Sequence, residues 1–404
     1  MISSFFGRFA SLFFPLLPLG GLLLLVACTQ GALDLGDQPK PGSQVSTAVP
    51  LSSNVNGEKV GDGPVRVALL VPQSAGGAAG TAGKQLANAA KLAMRDFAQN
   101  RMQLVIKDTK GQAAGAQLGA NEAVREGATL VLGPLFSANV SAASAVTKPS
   151  SRPMIAFSSD MNRASAGTYL LSFAPQDDVA RTLNAAAANG NNRVIAILPS
   201  SPYGNLVLQE MQRLSGTGTI QIIGTSRYGT TDESIRAAAR QAAPMLAGAN
   251  ALFIPDGGKV PSALVAAIAA SGGTLNGVQL LGSGQWDTVD RADRRLNGAI
   301  YAGPPKQSFE TFASRYQATY GERPVTTAAL AYDAVSLTAE LIRRNPAQPF
   351  TAKAIQSPSG FAGATGLFRF RANGRIDRGL AVYRLVDGAV VEASAAPRSF
   401  SGLR

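Results

Sequence analysis

From residue 64 onward, short continuous apolar runs alternate with amphipathic segments of helical period, and this alternation constrains the fold more than any other feature of the chain. The run Val65-Arg-Val-Ala-Leu-Leu-Val71 precedes a helix predicted over Gly83 to Asn100. Leu86, Ala90, Ala93, Met94 and Phe97 share one face of it, and Lys84, Asn88, Lys91 and Arg95 the other. Strands predicted at 103–107, 129–132 and 153–157 then alternate with helices at 113–126 and 138–147. The pattern restarts after Pro175, with helices at 178–189, 204–214, 232–242 and 261–270 separating strands at 193–198, 219–224, 251–255 and 278–281. Thr230-x-x-Glu233 marks one helix start as a capping box. Helices at 309–320 and 326–344, then strand-like segments at 366–370 and 380–385, close the chain. Continuous apolar strands between helices are buried on both faces, which means parallel sheets. The fold class expected is therefore α/β, with two doubly wound, Rossmann-like lobes and a cleft between them. In such sheets ligands bind beyond the carboxyl ends of the strands, so the loops there hold the candidate residues.

Composition removes most catalytic chemistry. The 404 residues contain no histidine, which eliminates Ser-His-Asp and Cys-His nucleophiles, HExxH zinc sites and an imidazole base. Neither Ser-x-x-Lys nor Gly-x-Ser-x-Gly occurs. The loop Ser74-Ala-Gly-Gly-Ala-Ala-Gly-Thr-Ala-Gly-Lys-Gln85 sits where a phosphate loop would, yet Ala78 and Gln85 replace the glycine and hydroxyl residue that Gly83-Lys84 would need. A non-catalytic binding or regulatory protein is expected, with no cofactor and no metal. The net charge of +12 is scattered, apart from clusters at Arg291, Arg294 and Arg295 and at Arg369, Arg371, Arg375 and Arg378. No nucleic-acid motif accompanies them, so nucleic acid is not an expected partner.

The first 27 residues read as a secretory signal: Arg8, then an apolar stretch ending Leu22-Leu-Leu-Leu-Leu-Val26, then small residues before Cys28. Pro15, Pro18 and Gly20-Gly21 argue against a stable membrane-spanning helix. Leu25-Val26-Ala27-Cys28 resembles a bacterial lipobox, which implies a lipid on Cys28. Thr29, where inner-membrane retention would use Asp, implies the outer membrane of a Gram-negative cell. Residues 28–63 carry no hydrophobic periodicity and read as a disordered, lipid-anchored tether, roughly 30 Å in root-mean-square span.

The ordered loops carry a resemblance. Leu69-Leu-Val-Pro-Gln-Ser74, Lys107-Asp-Thr109, Leu132-Gly-Pro-Leu-Phe-Ser137, Pro153-Met-Ile-Ala-Phe-Ser-Ser159, Ser201-Pro-Tyr-Gly204 and Ile254-Pro-Asp256 resemble the type I periplasmic binding proteins, also called the leucine-binding-protein-like family. That fold exchanges chain between its lobes three times. It implies lobe one at 64–174 plus 306–350 and lobe two at 175–305 plus 351–397. Within the fold, Leu281-Gly-Ser-Gly-Gln-Trp-Asp287 and Gly363-Ala-Thr-Gly-Leu-Phe-Arg-Phe370 are similar to the penicillin-binding protein activator lipoproteins. This implies a periplasmic, outer-membrane-anchored lipoprotein that binds and activates a peptidoglycan synthase in cell-wall synthesis, its cleft vestigial or holding a cell-wall fragment. The alternative implied by the wider family is the solute-binding component of an ABC importer for amino acids or related small amides, with an ABC permease as partner.

The resemblance assigns ligand contacts to Ser74, Ser137, Ser158, Ser159, Asp160 and Tyr203. The same residues have local explanations: Ser137 as a helix cap, Ser158 to Asp160 as loop acceptors, Tyr203 as packing. Gln285 stands near the place of a ligand-pairing glutamate but lacks its charge. Asp256, and equally Asp287, offers a replacement carboxylate or a cap. Trp286 stacks on a ligand or, as a large apolar ring more often does, packs into the core or the cleft wall.

Overall fold

A computed structural model describes residues 51–98 and 100–400. The signal peptide, Cys28 and the first part of the expected tether lie outside the described residues. The tether's last part, expected to be unstructured through residue 63, instead forms an edge strand, β1 (Glu58–Val60), antiparallel to the strand Met102–Asp108. Backbone pairing of Val60 with Leu104 and the ion pair of Glu58 with Lys91 at 3.0 Å hold it there.

The first sheet has the order β1-β3-β2-β4-β5-β6. Its parallel strands are β2 (Val65–Val71), β3 (Met102–Asp108), β4 (Leu130–Leu132), β5 (Met154–Ala156) and β6 (Thr168–Leu170). Helices α1 (Gly77–Ala93), α2 (Ala113–Arg125) and α3 (Ser137–Thr147) connect them. The second sheet runs β16-β15-β11-β10-β9-β7-β8. It begins after α4 (Pro175–Ala188) and contains β7 (Arg193–Pro199), α5 (Pro202–Gly216), β8 (Gln221–Tyr228), α6 (Asp232–Ala242), β9 (Ala251–Ile254), α7 (Val260–Ala270), β10 (Gln279–Gly282) and β11 (Ile300–Gly303). The chain then makes α8 (Lys306–Tyr320), α9 (Ala328–Arg344) and α10 (Ala352–Ile355). A three-stranded antiparallel sheet follows, β12 (Phe361–Gly363), β13 (Gly366–Phe370) and β14 (Ile376–Arg378). Finally β15 (Ala381–Val386) and β16 (Ala389–Ser394) join the second sheet antiparallel.

Alternation along the strands explains the layers. In β9, Leu252 and Ile254 pack to one side with Leu264 and Trp286, while Ala251 and Phe253 pack to the other with Val179, Leu183 and Met211. Both faces of this sheet are therefore buried, as the continuous apolar runs require. In the first lobe α9 is buried along nearly its whole length, against α1 on one side and the small sheet on the other. Phe361, Phe368, Phe370 and Ile376 belong to the first core. The stretch 361–376 thus packs with the first lobe, where the sequence reading placed 351–397 in the second. The reason is the spacing of its aromatic side chains, which turns one face of β12–β14 onto α9. The chain crosses between lobes at 171–174, at 304–305 and at 379–380.

The glycines of the Ser74–Gln85 loop have a local purpose. Helix α1 starts at Gly77, earlier than predicted, and its Gly83 lies against the carbonyl of Pro72, so that a Cβ there would overlap it. The close approach is to the protein's own backbone, not to a phosphate.

Candidate functional site

Strand order places the candidate loops. In the first sheet the order reverses between β2 and β4, and in the second between β7 and β9. Ser74 follows β2, Ser137 follows β4, Tyr203 follows β7 and Asp256 follows β9. Each stands at the carboxyl end of a strand beside a switch point.

The lobe-one residues are tied to each other. Ser137 Oγ donates to Asp160 Oδ2 at 2.6 Å, and Arg163 Nε donates to Ser137 Oγ and to Asp160 Oδ2, both at 3.0 Å. The Ser137 hydrogen bond, with Arg163 beside it and burial opposing, holds the Asp160 carboxyl below its usual range. Asp160 also caps a short helical turn through Asn162 N–H at 3.1 Å. Buried Ser158 accepts the Asp160 N–H at 3.2 Å, and Ser159 is exposed. Ser74 is exposed, its N–H directed to Asp108 Oδ1 at 3.3 Å. The hydroxyl of Ser137 is thus already committed, with an ionised carboxylate beside it.

Lobe two builds a cavity. Tyr203 OH lies 3.0 Å from the Pro255 carbonyl and 3.1 Å from Ser283 Oγ, bridging the loops after β7 and β9 to the one after β10. This desolvated position pushes the Tyr203 hydroxyl up to about 12. Beside it opens a cavity of about 410 Å³ lined by Tyr203 and Gln285, by Asp177, Asp178 and Arg378, and by Phe173, Ala174, Pro304 and Leu380 from the crossings. All three crossings contribute to its wall, so the cavity sits at the hinge. Among the candidates, Tyr203, Gln285 and Asp287 line it, and Asp287 is paired there with Lys306 Nζ at 2.7 Å. Asp256 accepts from Tyr228 OH at 2.6 Å and from its neighbour Gly257 N–H at 2.8 Å. Trp286 is not a ligand-stacking residue: it is fully buried in the second core, and its Nε1 donates to the Ile254 carbonyl at 2.8 Å. Gly282 makes room for that ring, since a Cβ there would overlap it.

Three residues that sequence reasoning did not propose complete the wall. Asp177 and Asp178 occupy the first turn of α4, a place acids take in any helix. Asp178 Oδ2 accepts the Gly284 N–H at 2.7 Å, linking α4 to the loop after β10. Among the described residues, Asp178 Oδ1, Asp177 Oδ2 and Arg378 Nη2 have no hydrogen-bond partner. Arg378 belongs to the arginine cluster at 369–378, but it is only 8% exposed. Its signal was strand period: Ile376 and Arg378 share one face of β14, and that face is buried.

Burial pushes both aspartates from 3.8 up to about 7. For Asp177, Arg378 and Arg371 oppose the shift while Asp377 and Asp178 add to it; for Asp178 the Gly284 and Val179 N–H groups oppose. The folded protein therefore holds protons that the unfolded chain releases. This contribution to stability is complete below pH 3.8 and is lost as pH rises through about 7. The melting temperature is expected to fall between pH 5 and pH 8, and Asp178→Asn to flatten that slope. An unchanged slope in the variant would show that Asp178 ionises freely in the folded state.

Two α/β lobes joined by three crossings, with the loops after β7 and β10 at a hinge cavity, define a two-lobed binding protein. A family model described as periplasmic binding protein matches residues 64–389, and the chain belongs to this family. Among solved structures, a putative branched-chain amino acid ABC transporter protein from Rhodospirillum rubrum superposes with a TM-score of 0.70 at 17% identity, covering 81% of this chain and 99% of that one. A branched-chain amino acid ABC transporter periplasmic ligand-binding protein from Burkholderia xenovorans LB400 gives 0.63 at 20% identity over 82% and 96%. An ABC transporter substrate-binding protein from Desulfitobacterium hafniense, in complex with Leu, gives 0.60 at 17% identity over 81% and 99%. No curated protein matches the chain.

Proposed function

We propose that this chain is a periplasmic solute-binding receptor whose lobes close on a small organic molecule and present it to an ABC permease. The observation that carries this is the hinge cavity, walled by all three crossings and by Tyr203 and Gln285. A ligand there touches the segments that must bend for the lobes to close, so binding and closure are coupled. Its volume is within the range of small-molecule sites. In this reading Ser74, Ser137, Ser158, Ser159 and Asp160 form the opposing lobe-one rim, and Cys28 carries the lipid that keeps the receptor at the membrane. Similarity to ABC transporter binding proteins supports the reading. The synthase-activator reading drew on the Trp286 segment, whose tryptophan is a core residue here.

The test is thermal unfolding of the purified whole chain with amino acids, small amides and aromatic carboxylates, followed by affinity capture from solubilised envelope. A ligand at a hundred times its Kd is expected to stabilise the native state by about 2.7 kcal/mol. Capture is expected to recover ABC permease components. No stabilisation by any compound, with capture of a penicillin-binding synthase and faster glycan polymerisation, would replace the receptor by the activator.

A further inference from the structure

We propose that the hinge cavity is built for a compact organic cation with a neutral oxygen acceptor beside its ammonium, of which an α-amino amide is the simplest case. This rests on the receptor reading and names its ligand class. The charge count gives the sign. Asp177 and Asp333 face one guanidinium, Arg378, while Asp178 stands beside Asp177 in the same wall; Asp333 and Arg378 are buried and the two α4 aspartates half-buried. Asp333 is saturated by Ala364 N–H at 2.6 Å, Thr365 N–H at 2.9 Å and the Thr365 hydroxyl. Arg378 answers Asp333 and Asp177. Asp178 is left with the backbone N–H groups of Gly284 and Val179 and no neighbouring cation. Asp287, the remaining carboxylate of the wall, is answered by Lys306 Nζ at 2.7 Å, so the charge still lacking is positive, and an ammonium between Asp177 and Asp178 supplies it.

The remaining wall sets the rest of the ligand. Arg378 Nη2 is a buried donor without a partner, on a side chain only 8% exposed, and it asks for an oxygen. A neutral carbonyl meets that demand without cancelling the ligand's positive charge, whereas a carboxylate would leave the acidic pair uncompensated. Phe173, Ala174, Pro304 and Leu380 offer an apolar surface for a hydrocarbon side chain.

Calorimetry on the whole chain at pH 7.5 with leucinamide, leucine and 4-methylpentanoate tests this, because the three share a skeleton and differ in charge. Leucinamide is expected to bind at least about tenfold more tightly than leucine, and 4-methylpentanoate not to bind. Asp177→Asn and Asp178→Asn are each expected to weaken leucinamide by about tenfold or more. Asn keeps an oxygen for the Gly284 N–H, and the Asp177 variant leaves that contact intact. Leucine binding as tightly as leucinamide, or leucinamide binding unaffected in both variants, overturns the proposal while leaving the receptor standing. Binding of none of the three, with synthase capture in the experiment above, overturns both.

Discussion

Replacing Arg378 with methionine is expected to lower the unfolding free energy by about 3–5 kcal/mol, because removal of one partner leaves buried charge uncompensated. Arg378 Nε donates to the Ser172 carbonyl at the first crossing, and Nη1 donates to Thr365 Oγ1 at 2.9 Å in the small sheet. Its guanidinium stacks on Phe173 at 4.6 Å. Methionine fills similar space but abandons these acceptors and leaves Asp333, enclosed on the buried face of α9, without its counter-charge. Burial lowers the Arg378 pKa only to about 10, so the native side chain is charged at neutral pH. Urea midpoints of Arg378→Met and of the exposed neighbour Arg371→Met make the comparison. The second is expected to lose less than about 0.5 kcal/mol. Adding Asp333→Asn to Arg378→Met is expected to recover part of the loss, since it removes the orphaned charge. Equal midpoints for the two arginine variants would mean that the buried cluster contributes nothing to the fold.

The large-scale architecture was legible because parallel strands buried on both faces leave continuous apolar runs, as in Val67 to Val71 and Val194 to Leu198. The small sheet was harder. Its strands are short, half of each faces outward, and Arg369, Arg371 and Arg378 read alike in sequence although Arg369 and Arg371 pair with Asp377 while Arg378 is enclosed. The early strand β1 was missed because a segment that pairs only by backbone along an edge needs no apolar pattern. Tyr203, Gln285 and Asp287 were legible because a strand-end turn must face the cleft. Asp177 and Asp178 were not, since acids in a first helical turn have a sufficient local reason to be there. Only the crossings, brought together by the whole fold, turn them into the wall of a cavity.

Trp286→Ala is expected to cost about 3–5 kcal/mol of stability while leaving the affinity of the remaining folded protein unchanged. A tryptophan that stacked on a ligand would show the reverse: exposed in the empty protein, dispensable for folding and needed for binding. Here the ring has no exposed surface, packs over Gly282 with Tyr301 at 6.5 Å between centroids, and spends its only donor on the Ile254 carbonyl. Phenylalanine would retain much of the packing but orphan that carbonyl, so Trp286→Phe is expected to cost about 1–3 kcal/mol, less than the alanine variant. Because this is the only tryptophan in the chain, its emission reports the site without labelling. Blue-shifted fluorescence that iodide fails to quench is expected before and after ligand addition. Quenching that a ligand then protects against would return Trp286 to the cleft and reverse the assignment of the loop after β10.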